Sequence, residues 1–272
     1  MIEVFTDDTS ILLHCDDRWS EITPLPGWNH ETIAECLNAL FTEDFDRHPS
    51  VAFAIDCLFI DCEPPIAPFA ALFSGTPDDI LAQAQQATTR HAKVKVGSLS
   101  LQDTLDTVIP LLNQGFSLRL DFNQQWTLSD ALSLSQAFPE NTFDYFEEPT
   151  TELAAFAAET LQPIALDESM LDGISWDLPH LKALVLKPSV WGNIGDCLEL
   201  AQIAYQKNKQ IVLSNAFRTK VGLSNLLTFS GLLKRPLAPL GLGTLSFPDY
   251  HVDIDLKTWE RIGAVSLEPA LR

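Results

Sequence analysis

The sequence predicts an α/β protein built as a closed (β/α)8-type barrel with a small α+β cap. From about Ala67 onward, short apolar or alternating runs recur, each followed by a polar turn and a stretch with helical periodicity. This alternation is typical of βα units. Five successive runs end in an ionisable residue, and barrel enzymes place their chemistry at the carboxyl ends of the strands. The first 66 residues lack the alternation and are predicted to form the cap.

Eight apolar runs are the candidate strands of the barrel. In chain order they are Pro68–Phe73, Ala92–Val96, Ser117–Asp121, Phe143–Glu147, Pro163–Asp167, Ala183–Lys187, Gln210–Ser214 and Pro239–Gly243. Eight strands that alternate with helices favour a closed barrel. A doubly wound open sheet is the alternative, but no GxGxxG motif follows an early strand to support it.

Helices are predicted between these strands, where apolar residues recur at helical spacing and several polar N-cap residues stand just upstream. They include Leu101–Leu112, Leu128–Ala137, Ala154–Leu161, Ile194–Lys207 and Leu223–Leu233. The barrel domain is thus predicted to span residues 67–249.

The cap is predicted to span residues 1–66, with the tail, about residues 250–272, packing back on it. Two strands and two helices are expected in the cap. They are the strands Ser10–His14 and Glu21–Thr23 and the helices Glu31–Phe41 and Ser50–Cys62. The prolines of Glu63-Pro64-Pro65 end the second helix before the barrel begins.

The composition limits the class of protein and of partner. The chain has 272 residues, of which 46% are hydrophobic, and this is enough apolar material for a globular core rather than a disordered chain. With 17 Lys and Arg against 37 Asp and Glu, the net charge of −20 repels nucleic-acid phosphates and anionic lipids. We therefore expect neither nucleic acid nor membrane as a partner, and any anionic ligand must find a local cationic site.

No secretory signal or membrane span is visible, so a cytoplasmic protein is expected. The first ten residues have no basic segment followed by an apolar one. The most apolar run, Val51 to Ile60, is much shorter than the roughly 20 residues that cross a bilayer. Five cysteines without CxxC spacing indicate neither a disulfide framework nor a zinc site, and we interpret them as reduced core residues.

The most informative feature is the charge at successive strand ends. Five consecutive strands end in an ionisable side chain, with spacings of 26, 26, 20 and 20 residues that correspond to single βα units. These residues are Lys95, Asp121, Glu147, Asp167 and Lys187. The carboxyl ends of parallel barrel strands converge on one mouth, so these five should lie close together.

The run Lys93-Val94-Lys95-Val96 adds a second lysine to this mouth. Strand alternation places both lysines on one face and both valines on the other, toward the helices. An edge strand with solvated lysines is the alternative interpretation, but the position inside a series of βα units favours the barrel interior.

Carboxylates that converge inside a barrel need a cation, because they repel one another and lose hydration. Oxygen ligands without His or Cys favour Mg2+, Mn2+ or Ca2+ over zinc. Alternation alone does not decide between Glu147 and Glu148, or between Asp167 and Glu168, since a turn begins at each point.

Several motifs together closely resemble the enolase superfamily and, within it, the o-succinylbenzoate synthase family. In the barrel they are Lys93-Val-Lys95-Val-Gly97, Leu118-Arg-Leu-Asp121-Phe-Asn123, Phe146-Glu147-Glu148-Pro149, Ala165-Leu-Asp167-Glu168-Ser169 and Leu186-Lys187-Pro188-Ser189. In and near the cap they are Trp19-Ser-Glu-Ile-Thr-Pro-Leu-Pro-Gly27, Ser50-Val-Ala-Phe53 and Gly75-Thr-Pro-Asp-Asp79. The resemblance runs from about Trp19 to Gly243. The ordered set is specific, although each short motif alone is weak.

The resemblance implies a (β/α)7β TIM-type barrel with an α+β capping domain whose N-terminal segment is shortened here. It implies one Mg2+, with Mn2+ as a substitute, held by Asp121, Glu147 and Asp167. Lys95 would be the general base and later the acid, with Lys93 beside it and Lys187 across the barrel.

The implied reaction is the syn-dehydration of 2-succinyl-6-hydroxy-2,4-cyclohexadiene-1-carboxylate to o-succinylbenzoate in menaquinone biosynthesis. The expected partner is thus a small-molecule carboxylate. Two alternatives stay open: an N-acylamino acid racemase or dipeptide epimerase that uses the same two lysines, and an inactive metal-binding relative. Arg218, after the seventh strand, is expected either to contact the substrate or to form a surface ion pair. The sequence does not determine the oligomeric state.

Overall fold

The computed structural model describes residues 1–65, 67–233, 237–241 and 256–266. Its strands are β1 (Ile2–Thr6), β2 (Ile11–Cys15), β3 (Arg18–Ile22), β4 (Ala71–Phe73), β5 (His91–Lys95), β6 (Ser117–Asp121), β7 (Tyr145–Glu147), β8 (Ile164–Leu166), β9 (Leu181–Leu186), β10 (Gln210–Leu213) and β11 (Glu260–Val265). Its α-helices are α1 (Ile33–Thr42), α2 (Pro49–Phe59), α3 (Pro77–Gln86), α4 (Leu101–Asn113), α5 (Leu128–Gln136), α6 (Leu153–Glu159), α7 (Pro188–Trp191), α8 (Ile194–Gln206) and α9 (Lys220–Ser230). Short 3-10 helices cover Glu168–Asp172 and Leu256–Thr258.

Strands β4 to β10 form one parallel sheet in sequence order, and a further segment closes it into a barrel. Leu240 forms a parallel bridge with Phe69 at one edge, and Gly241 forms one with Ser214 at the other. The Gly241 N–H donates to the Leu213 carbonyl at 2.8 Å. The predicted barrel with its eighth strand is therefore confirmed as far as residue 241, whereas 242 and 243 lie outside the described residues.

The barrel core lies between the sheet and the helices that follow its strands. In β5 the burial alternates as predicted: Val94 and Val96 are fully buried toward the helices, whereas Lys93 and Lys95 are only partly covered. Gly97 then ends the motif, where a side chain would meet the Phe122 carbonyl oxygen at 2.4 Å. The close approach of these two strand ends requires glycine at this position.

Helix α9 begins at Lys220, three residues before the predicted start at Leu223. Thr219 is its N-cap, and the buried carboxylate of Glu21 on β3 accepts the N–H groups of Thr219 at 3.1 Å and Gly222 at 3.0 Å. Free N–H groups at a helix start favour a carboxylate. The cap thus extends this barrel helix by a contact that spans about two hundred residues of chain.

The cap contains a four-stranded antiparallel sheet in the order β11-β1-β2-β3. Strand β1 was not predicted from the sequence. The strand predicted at Glu21–Thr23 begins too late, since β3 spans Arg18–Ile22. Strand β1 lies inside the sheet, and the consecutive residues Val4 and Phe5 are buried on its opposite faces, so its apolar residues do not alternate regularly with polar ones. The boundary between cap and barrel stays a prediction, because residue 66 lies outside the described residues.

Helix α2 belongs to both hydrophobic cores. Val51, Ala54 and Leu58 pack in the cap core with residues of β1 and β2, whereas Phe53 and Cys57 pack in the barrel core. Burial on two faces explains why this helix is so apolar. It also fixes the position of the cap over the barrel.

All five cysteines are free, as expected from their spacing. Cys36, Cys57 and Cys197 are buried, but Cys15 and Cys62 are only partly buried, so the prediction of five core cysteines is wrong for these two. Across the described ranges, no helix is long and apolar enough to cross a membrane.

The buried guanidinium of Arg119 forms hydrogen bonds inside the barrel, below the mouth. Its Nε donates to Asp144 at 2.7 Å, and its Nη1 donates to the carbonyl of Pro239, next to the closing segment, at 2.6 Å. Lys182 also donates to Asp144, at 2.7 Å. Burial opposes the charge on Asp144, but Arg119 and Lys182 outweigh it, so the pKa of Asp144 lies below its usual value.

Replacing Asp144 with Asn is expected to lower the free energy of unfolding by about 3 kcal/mol, because it leaves a buried guanidinium without its counter-charge. Urea unfolding at neutral pH measures the change, with the exposed Glu140→Gln as a control. The folded-state pKa of Asp144 is lowered. Its contribution to the free energy of unfolding is therefore complete above the unfolded-state pKa and is lost as pH falls through the folded-state pKa. The wild type should therefore lose stability in acid more steeply than Asp144→Asn. Equal stability of the two variants at neutral pH would contradict the assignment.

Candidate active site

A cavity of about 190 Å3 lies at the carboxyl ends of the barrel strands. Strand register brings the predicted residues together: Lys95 lies opposite Asp121, and Asp121 lies opposite Glu147. Four of the five strand-end residues line the cavity, together with Lys93. Glu147 is fully buried and is not among the lining residues, but it contacts Lys93.

Lys93 is the inner of the two lysines on β5. Its Nζ lies 2.6 Å from Glu147 Oε1 and 2.9 Å from Asp121 Oδ2. Burial opposes its charge, but Glu147, Asp121 and Asp167 outweigh it and raise the pKa of Lys93 well above its usual value. Lys93 is therefore held as an ammonium ion among carboxylates.

Lys95 is the outer lysine and the more accessible one. Its side chain is 43% exposed against 15% for Lys93. Its Nζ donates to Asp121 Oδ2 at 3.0 Å and to Asn123 Oδ1 at 2.9 Å. Asn123 is in the left-handed region, with φ of 46°, and its N–H donates to Asp121 Oδ1 at 3.1 Å. The turn after β6 therefore positions both partners of Lys95.

Glu147 and Glu148 have different surroundings in the structure. Glu147 ends β7 with its side chain on Lys93, inside the barrel. Glu148 instead accepts the N–H groups of Asp167 and Ser169 at 2.7 and 2.9 Å, and its other oxygen accepts from Gln124. Glu148 thus joins the loops that follow β6, β7 and β8, and only Glu147 is directed at the lysines.

Asp167 and Glu168 both line the cavity, but their partners differ. Both oxygens of Asp167 accept from Lys187 Nζ. Glu168 Oε1 accepts from Asn123 Nδ2 at 2.8 Å, while Glu168 Oε2 is buried without a hydrogen-bond partner. Burial first, and then Asp167, raise the pKa of Glu168.

The mouth holds more negative than positive charge. Five carboxyl groups, Asp121, Glu147, Glu148, Asp167 and Glu168, lie among the ammonium groups of Lys93, Lys95 and Lys187. Burial, opposed by Lys93 and reinforced by Asp121 and Asp167, raises the pKa of Glu147 to about 8. Glu147 Oε2 is also buried without a partner. One divalent cation would balance the formal excess of two negative charges.

The donor set fits a hard divalent ion, since Asp121, Glu147 and Asp167 offer only carboxylate oxygens. Among the described residues, however, no three or more acidic, His or Cys side chains converge closely enough to hold an ion as they stand. Lysine ammonium groups occupy the positions next to these carboxylates: Lys93 contacts Asp121 and Glu147, and Lys187 contacts Asp167. An ion would have to displace these contacts.

Several cavity residues were not predicted from the sequence to have a role. Trp28 reaches the cavity from the cap, and Asn123, Ser214 and Asn215 reach it from loops after strands. The position of Asn123, two residues after Asp121, was an available signal, because residues just after a barrel strand face the mouth. Arg218 is not among the cavity-lining residues: its side chain is exposed, and its main-chain N–H donates to Glu21 at 2.9 Å, so its two expected roles stay predictions.

Comparison with known proteins supports a family assignment. The model of the family described as "Enolase C-terminal domain-like" matches residues 79–235. The o-succinylbenzoate synthase of Haemophilus influenzae is 31% identical over 279 aligned positions, which cover 89% of this chain and 82% of that protein. The synthase of Yersinia enterocolitica is 32% identical, covering 84% of this chain and 78% of that protein.

Solved structures share the fold. An o-succinylbenzoate synthase from Thermosynechococcus elongatus, solved with Mg in its active site, superposes with a TM-score of 0.70 at 21% identity, covering 86% of this chain and 85% of that one. A dipeptide epimerase from Enterococcus faecalis superposes with a TM-score of 0.72 at 18% identity, covering 93% and 92%. At these identities the structures establish only the fold, whereas the curated relatives establish the family. The chain is therefore an enzyme of the o-succinylbenzoate synthase family, within the enolase superfamily.

Proposed function

We propose that this protein dehydrates 2-succinyl-6-hydroxy-2,4-cyclohexadiene-1-carboxylate to o-succinylbenzoate, as a step of menaquinone biosynthesis. The observation that carries the proposal is the pair of lysines, Lys95 and Lys187, in one cavity with the buried carboxylates of Asp121 and Asp167. Lys95 ends β5 and Lys187 directly follows β9, the second and the sixth strands of the eight, so the two lysines lie across the barrel from each other. Curated relatives that carry the o-succinylbenzoate synthase name support the substrate class.

We further propose that Asp121, Glu147 and Asp167 hold Mg2+, with Mn2+ as a substitute. When bound, such an ion supplies Lewis-acid stabilisation of the negative charge that develops on the substrate carboxylate. The excess of carboxylates and the unpartnered Glu147 Oε2 support a cation at this place.

Lys95 acts as the base in this proposal. Its side chain lines the cavity and is 43% exposed, whereas the ammonium group of Lys93 is held between two carboxylates and its side chain is 15% exposed. After Lys95 has lost its resting proton to solvent, its neutral amine takes the proton from ring carbon 1, next to the substrate carboxylate, and leaves an enediolate. The ammonium ion so formed returns that proton to the hydroxyl at carbon 6 as the C6–O bond breaks. Water leaves, and the ring becomes aromatic.

Lys187 and Lys93 stabilise charge. Lys187 stays an ammonium ion across the cavity and stabilises the enediolate electrostatically. Lys93, fixed against Glu147 and Asp121, offsets the negative charge below the ring. These cations are in place before the reaction, so they need no reorganisation in the transition state.

The proposal is tested with purified protein and the cyclohexadiene substrate, with Mg2+ present and then with excess EDTA. We expect loss of the diene absorbance with Mg2+, no turnover in EDTA, and recovery when Mg2+ is restored. Circular dichroism in both conditions shows whether the fold survives. A folded protein that binds Mg2+ but leaves the substrate unchanged would reject the dehydration.

The facing lysines also favour one second candidate, proton exchange at the alpha carbon of an acylated amino acid. In that reaction one lysine removes the proton and the other delivers a proton to the opposite face, so both Lys95 and Lys187 must exchange protons. Deuterium incorporation from D2O into an N-acylamino acid, with racemisation, would favour this activity. No incorporation beside rapid dehydration would exclude it.

A further inference from the structure

A cap loop reaches the catalytic cavity through an ordered turn. The N–H groups of Trp28 and Asn29 donate to the Leu25 carbonyl at 3.0 and 2.9 Å, and the Leu25 N–H donates to Asn29 Oδ1 at 2.8 Å. Gly27, with φ of 83°, supplies the left-handed residue that this turn requires. The turn is therefore fixed by its own hydrogen bonds.

The same turn is attached to the barrel loop that carries Lys187. Asn29 Nδ2 donates to the carbonyl of Ser189, two residues after Lys187, at 3.0 Å. Ser189 is fully buried in α7, and α7 packs against α2 of the cap. The position of Trp28 relative to Lys187 is thus determined by a cap-to-barrel hydrogen bond and by helix packing.

The indole ring of Trp28 covers the ammonium group of Lys187. Lys187 Nζ lies 3.8 Å from the ring centroid, and both side chains line the catalytic cavity. The other partner of this ammonium group is the Asp167 carboxylate. Trp is the aromatic side chain with the strongest attraction for a cation over its face.

We propose that Trp28 is a positioning residue, whose ring face holds the Lys187 ammonium in the cavity. The inference rests on the proposed function, in which Asp167 binds Mg2+. Its carboxylate is then shared between the ion and the ammonium group of Lys187. Trp28 then remains as the partner that keeps the ammonium group directed at the substrate. The cap would thereby contribute to the electrostatics of the reaction.

A graded series of variants tests this role. Trp28→Leu, which keeps apolar volume but has no π face, should lower kcat about tenfold, whereas Trp28→Phe should lower it less than about threefold. KM should change less than kcat, because Lys187 acts on the enediolate rather than on bound substrate. Trp176 provides a matched control: it is also partly buried, with Lys207 Nζ 5.7 Å from its ring centroid, and it is not among the cavity residues. Trp176→Leu should leave kcat unchanged.

A second measurement does not depend on turnover. The difference in tryptophan emission between wild type and Trp28→Phe isolates the signal of Trp28, and this difference should change when Lys187→Met is introduced into both proteins. Equal kcat for Trp28→Leu and Trp28→Phe would overturn the positioning role. An emission difference that Lys187→Met leaves unchanged would overturn the contact itself. Wild-type protein without dehydration would reject the proposed function, and the emission comparison would still decide the contact.

Discussion

Lys95→Ala is expected to lower the rate of dehydration by at least about 10³-fold, within the range that a positioned general acid–base group contributes. The reason is that Lys95 carries the proton in both steps of the proposed reaction. Lys93 does not replace it, since its ammonium group is held by Glu147 and Asp121 and its side chain is less exposed than that of Lys95. Steady-state kinetics with the cyclohexadiene substrate measure the loss.

The same variant should keep its fold and its affinity for Mg2+, because Lys95 is no ligand in the proposed site. Circular dichroism and calorimetric titration with Mg2+ check both points. The exposed lysine Lys207 provides a control, and Lys207→Ala should have wild-type activity. Activity of Lys95→Ala close to that of the wild type would eliminate Lys95 as the base.

Asp121→Asn is expected to weaken Mg2+ binding by more than about 100-fold, because even outer-shell partners of metal ligands often contribute 10- to 100-fold. Turnover should fall with it and should recover only in part at high Mg2+. Asp121 is fully buried and also accepts from Lys93 and Lys95, so the change removes the charge that holds the two lysines in place. Calorimetry measures the affinity, and a Mg2+ titration of kcat measures the recovery.

The exposed Asp177 supplies the matched control for this prediction, since Asp177→Asn removes one carboxylate elsewhere on the chain. It should leave Mg2+ affinity unchanged. If Asp121→Asn also binds Mg2+ like the wild type, the proposed ligand set of Asp121, Glu147 and Asp167 is wrong. Thermal unfolding of both variants distinguishes lost affinity from a lost fold.

The local sequence pattern was sufficient to predict most of the barrel. The spacing of Lys95, Asp121 and Glu147 by whole βα units places them at one mouth, and the structure brings them into register. Alternation in β5 separates the lysine face from the valine face, because successive side chains of a strand point in opposite directions. Both inferences depend only on strand periodicity and on parallel pairing.

The cap was harder to predict for a physical reason. Strand β1 packs Val4 into the cap core and Phe5, on its other face, against Val221 of α9, so no regular polar face marks it. Helix α9 starts early because Glu21, far away in the chain, binds its first N–H groups. Neither effect leaves a local signature, since each depends on residues far apart in the chain.

The sequence by itself determined the barrel and the set of charged residues at its mouth, because these follow from periodicity. From the repulsion of like charges it also predicted a cation among them. Only the tertiary structure separated Glu147 from Glu148, distinguished the accessible Lys95 from the enclosed Lys93, and placed Trp28 over Lys187. Those three decisions depend on which oxygen, nitrogen or ring lies within a few ångströms of another. Such distances are set by the packing of segments that lie from 19 to more than a hundred residues apart in the chain.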